Sequence, residues 1–230
     1  MELDELFLKP SQPTLFDLGE TSQGPLELFP AIWHLSEGMI SSDVAVRRTA
    51  IKQMVETDAA RLLSLVAYLL TTRIIEPDTG IRATVIAALS DILLPDRDGL
   101  PPSESVRQIL TSYLSQMRTR QIYALLQVLP DRPALEQGVA RLLNACPYAG
   151  NQLTDILASR RVPIEIRRYA VRLIGLVGYL DAIPALERQL ARLESRLNGQ
   201  QSMSFAPVDM VEDAVLIPDI RRALAFLQSP

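Results

Sequence analysis

From Leu26 to Leu227, apolar residues return every three or four positions, in short runs parted by polar, proline or glycine breaks. That period belongs to amphipathic helices, and no stretch shows the two-residue alternation of a half-buried strand. A short helix cannot bury its own apolar stripe, so the chain must pack helix on helix. The filling is aliphatic, since hydrophobic residues make up 48% of 230 residues and aromatics only 5%. With 22% charged residues and a mean hydropathy of +0.13, an ordered globular domain or a short repeat array is expected. The longest apolar stretch, residues 62–70, is interrupted by Ser64 and is half of the roughly 20 residues a bilayer span needs. The start MELDELFLKP lacks the basic and apolar blocks of a secretory signal, so a soluble cytoplasmic protein with no membrane association is expected.

Residues 1–24 are punctuated by Pro10, Pro13, Gly19 and Gly24, and read as a flexible or loosely docked tail. Residues 25–230 read as one helical domain. Ser41 or Ser42 is placed to cap a first helix that buries Val46, Ala50, Ile51, Met54 and Val55. Phe29, Ile32 and Trp33 are expected to lid it. Asp58 would cap a second helix, apolar nearly all round through Leu62, Leu65, Val66 and Leu69. Pro77 opens a third, with Ile81, Val85, Ile86 and Leu89 inward. After the turn-rich PDRDGLPP at 95–102, Ser103 or Ser105 starts a fourth, and residues 119–130 form a fifth. Asp131 and Pro133 would start a sixth. A seventh covers about 150–159, Pro163 opens an eighth, and Asp181 would cap a ninth. After the polar stretch NGQQSMSFAPVD, a final segment over 209–228 would be broken or restarted at Pro218.

Similar arginine-bearing helix starts recur: VAVRRTAI at 44–51, TGIRATVI at 79–86, PIEIRRYAV at 163–171 and PDIRRALA at 218–225. The unit at 164–190 resembles the HEAT repeat, in the short form known from phycobilisome lyases. Ile166, Arg167, Ala170, Leu173, Gly175, Gly178, Asp181, Ala182, Pro184, Ala185 and Leu186 carry the likeness. The resemblance implies an all-α, right-handed α-α superhelix, a solenoid of about four to five helical hairpins. Such arrays work as non-catalytic protein–protein scaffolds. The alternatives it implies are a subunit or relative of a chromophore lyase, or a nucleic-acid-binding relative using the Arg-rich helices.

The chemistry-bearing residues are few. With His34 as sole histidine and Cys146 as sole cysteine, the usual nucleophile–base and metal sets are missing, and neither a catalytic residue nor a cofactor is expected. Cys146 reads as a buried structural thiol, and Asp96 and Asp98 as turn formers rather than a calcium loop. Two lysines, Lys9 and Lys52, leave 21 of the 23 basic residues as arginine. Arg160, Arg161, Arg168 and Arg172, with Arg188, Arg192 and Arg196 spaced every four residues, are the candidate partner-binding set. Glu165, Glu187 and Glu194 could instead pair with them on a solvated face. A net charge of -4 argues for a protein partner rather than nucleic acid. Gln12, Leu15 and Phe16, in QPTLF, resemble the short peptide that docks on bacterial sliding clamps.

Overall fold

A computed structural model describes residues 24–200 and 214–229. The tail motif Gln12, Leu15 and Phe16 and most of the tail lie outside the described residues. Eleven α-helices and four short 3-10 turns make up the described chain, with no strand among the described residues. The helices are α1 (Gly24–Met39), α2 (Val44–Glu56), α3 (Ser64–Thr72), α4 (Thr79–Ile92), α5 (Glu104–Ser115), α6 (Thr119–Leu126), α7 (Glu136–Asn144), α8 (Ala149–Ala158), α9 (Ile164–Val177), α10 (Ile183–Gln200) and α11 (Leu216–Gln228). Among the described residues, no helix is long and apolar enough to cross a membrane.

Two rows of helices follow from the packing. In the first, α2 lies on α4, α4 on α7, α7 on α9 and α9 on α11, with α1 added outside α2. In the second, α3 lies on α5, α6 on α8, and α8 on α10. The rows meet where α3 touches α4, α6 touches α7, α8 touches α9 and α10 touches α11. One continuous buried cluster runs from Ile32 to Leu227, almost wholly aliphatic as the composition requires. Close approach is set by small residues: a Cβ on Gly38 would stand 2.8 Å from the Ala50 Cβ, and one on Gly175 3.1 Å from the Ala223 Cα.

The helix ends depart from the sequence reading in instructive ways. Asp43, not Ser41 or Ser42, caps α2 by accepting from the Ala45 N–H at 2.8 Å, while Ser41 Oγ accepts from the Asp43 N–H. Of three consecutive capping types, only the last stands at the turn into the helix. Val46 is exposed rather than inward. Asp58 caps nothing: it sits at φ +53 before a 3-10 turn (Ala59–Arg61), so α3 begins later and Leu62 is left in solvent. Asp131 and Asp181 do not cap either, because 3-10 turns at Pro133–Leu135 and Leu180–Ala182 precede α7 and α10. Pro218 does not break α11; in the first turn its missing N–H has no intrahelical acceptor to lose. Pro163 and Ser103 do stand at the N-caps of α9 and α5, and Gly178 closes α9 at φ +86.

The helical period that begins at Leu26 forms a helix of its own, α1, ahead of the first helix delimited from sequence near Ser41. Ile32 does cover α2 as a lid, but Phe29 and Trp33 face outward, stacked on each other at 6.4 Å between ring centroids. Apolar residues on both sides of α1 blur the single stripe that announces the other helices.

Candidate functional site

Arginines occupy the seams of the first row. At α2–α4, Arg47 donates to Glu76 at 2.8 and 3.0 Å and to the Ser41 and Ser42 carbonyls, while Arg48 reaches Asp78 at 3.0 Å. At α4–α7, Arg141 donates to the Ser90 carbonyl at 2.9 Å. At α7–α9, Arg172 pairs with Glu136 at 2.5 Å, its guanidinium 5.3 Å from the centroid of the Tyr169 ring. At α9–α11, Arg168 Nε donates to Asp219 at 2.7 Å. Two more satisfy helix C-termini: Arg61 donates to the Asp91 and Leu94 carbonyls, and the buried Arg167 to that of Leu157. A planar guanidinium suits this work, since it serves several acceptors at once and complements the negative end of a helix.

The local electrostatics agree. The Ile81 N–H holds the Asp78 carboxyl below its ordinary value; burial opposes it, and the Arg48 charge and hydrogen bond add to the lowering. The hydrogen bond to Asp219 raises Arg168 above its own, and burial lowers Arg82, which donates to Gln127 at 3.0 Å.

The seven candidate arginines therefore do not form one patch. Arg168 and Arg172 are engaged in first-row seams. Arg160 and Arg161 lie exposed in the turn between α8 and α9. Arg188 and Arg192 line a second-row groove of about 330 Å3 between α8 and α10, walled by Thr154, Asp155, Ala158 and Ala185. Arg196 follows one turn later. Glu194 and Glu187, the expected partners of this ladder, turn instead to Arg221 and Gln228 of α11. Arg188 and Arg192 are thus left without an ion pair among the described residues. A second cleft of about 460 Å3 lies over α9, with Arg172, Asp219 and Arg222 beside the exposed Leu176 and Phe226. Glu136 and Asp219 were missed from sequence because they stand 36 and 51 residues from the arginines they bind.

The remaining singular residues take structural places. Cys146 is buried in the turn between α7 and α8, its thiol directed at the Ser115 and Met117 carbonyls, and burial pushes its ionisation up. The Tyr179 hydroxyl donates to the Leu143 and Cys146 carbonyls. His34 is exposed on α1. Asp96 Oδ1 accepts from the Asp98 and Leu100 N–H groups and closes a turn, with Gly99 at φ +78. Among the described residues, no three His, Cys, Asp or Glu side chains gather as a metal site. Compared with protein-family models, with curated proteins and with solved structures, the chain matches none.

Proposed function

We propose that this chain is a non-catalytic interaction module: a HEAT-like solenoid of stacked helical hairpins with a right-handed superhelical turn that binds a partner protein along its second row. The side-by-side order of the two rows supports the stacked reading, as each helix buries its stripe against neighbours in its own row and the facing one. The observation that carries the binding reading is the segregation of charge on α10. Its carboxylates are engaged by α11, while Arg188 and Arg192 stand over a groove with no counter-charge bonded to them among the described residues. Guanidinium groups held this way favour charge-assisted contacts to an acidic surface.

The test compares full-length protein with R188E/R192E as bait in native extract, followed by binding of the purified candidate. One protein that binds the wild type directly and loses at least ten-fold in affinity to the variant supports the reading. Equal binding by both, or double-stranded DNA as the ligand whose binding the variant abolishes, refutes it.

A further inference from the structure

The cleft at the α9–α11 seam has two ends of different chemistry. Two contacts follow one another in the same order along both helices, Arg168 to Asp219 and then Gly175 to Ala223, so α9 and α11 run in the same direction. Each helix gives the cleft an arginine and, one turn on, a large apolar residue: Arg172 and Leu176 from α9, Arg222 and Phe226 from α11. The arginines therefore share one end and the apolar residues the other. Gly175 and Ala223, too close to admit a larger side chain between them, floor this volume of about 460 Å3.

One charge in the lining is left over. Arg172 is held by Glu136 and lies against the Tyr169 ring, and Asp219, whose side chain is 7% exposed, is held by Arg168 from outside the lining. Arg222 is exposed and has no ion pair among the described residues. At the other end, Leu176 and Phe226 stand 47% and 67% exposed. We propose that this cleft binds a small amphipathic carboxylate, its anionic head on Arg222 and its apolar body laid over Gly175 and Ala223 between Leu176 and Phe226. A guanidinium receives a carboxylate through two parallel N–H donations. One helical turn, about 5–6 Å, separates the arginine end from the apolar end, which is the span from a carboxylate to a ring a few carbons away. The volume falls within the roughly 300–1,000 Å3 of small-molecule sites. An extended peptide is a poorer fit, since the described residues include no strand edge with which its main chain could pair.

This inference concerns the first row and stands apart from the partner-binding reading. Saturation-transfer NMR on the full chain compares 4-phenylbutyrate with 4-phenylbutanol and 4-phenylbutylamine, which keep the body and change the head. Phenylbutyrate should saturate with a Kd of about 1 mM or tighter, and the alcohol and the amine should bind about ten-fold more weakly. Arg222→Gln and Phe226→Ser, both at exposed positions, should each weaken phenylbutyrate by about five- to ten-fold with an unchanged circular dichroism spectrum. Arg97→Gln, at an exposed arginine between α4 and α5, should leave its binding as it was. Equal binding of acid and alcohol overturns the proposal, as does the lack of saturation below about 10 mM. So does affinity that survives Arg222→Gln, or that Arg97→Gln lowers as much.

Discussion

Asp78 offers the sharpest single test of how the first-row seams are built. Its Oδ1 accepts from the Ile81 N–H at 2.8 Å as the cap of α4, and its other oxygen receives Arg48 of α2 at 3.0 Å. Removing a capping acid costs about 1 kcal/mol, with a range of about 0.5–2. The pair should add less, about 0.2–1 kcal/mol, because the Arg48 side chain is 60% exposed. Asp78→Ala should therefore cost about 1.5 kcal/mol, whereas Asp78→Asn keeps the acceptor and should lose only a few tenths. Arg48→Ala completes a double-mutant cycle whose coupling should stay below about 1 kcal/mol. Urea midpoints at constant m, with hydrogen exchange of the α4 amides, give the numbers. The pH dependence has a fixed sign. The Ile81 N–H first, and Arg48 with it, hold the folded carboxyl below its ordinary 3.8. The charge-dependent part of the cap is thus present in full above that value and is lost as pH falls through the folded one. The Asp78→Ala penalty should shrink in acid. An Asp78→Asn as costly as Asp78→Ala, or an alanine penalty equal at pH 7 and in strong acid, refutes the capping argument.

Three further outcomes can be checked with the same denaturation assay or simple chemistry. Gly175→Ala should cost about 1–3 kcal/mol because its methyl meets the Ala223 backbone, while Gly178→Ala should cost about 1 kcal/mol through its positive φ alone and Gly178→Asn less. Tyr179→Phe removes the second donor from the Leu143 and Cys146 carbonyls, which keep the Cys146 and Ala149 N–H groups, and should cost about 0.5–1.5 kcal/mol. Spectrophotometric titration should show that the wild-type phenol, raised by burial, resists ionisation until the fold opens. Cys146 should react with Ellman's reagent only as fast as the α7–α8 turn opens, and rapidly in urea.

Much of the helical framework was legible because aliphatic stripes such as Ile81, Val85, Ile86 and Leu89 admit one face and one period. Caps were legible to within a residue or two, both for Ser103 of the pair Ser103 and Ser105 and in the run Ser41, Ser42, Asp43, where the last residue takes the role. The bounds and buried face of α1 were blurred by Pro30 within it and by apolar residues on both of its sides. The arginines near 160–172 part company for a geometric reason. Neighbours on a helix differ by about 100° in direction, so Arg167 turns into the core while Arg168 turns out to Asp219. Their acceptors lie on other helices, and no local spacing announces them.

Fastening the first row with guanidinium groups also decides which covalent chemistry can loosen it. Acylating enzymes that silence ammonium groups find no foothold at the α2–α4, α4–α7, α7–α9 or α9–α11 joints. Lys52, on the solvent side of α2 and 72% exposed, is the one lysine among the described residues, and it reaches only Glu56 of its own helix. Acidity reaches the row through Asp78, whose carboxylate is shared by Arg48 and the Ile81 N–H, while the guanidinium fasteners themselves stay charged.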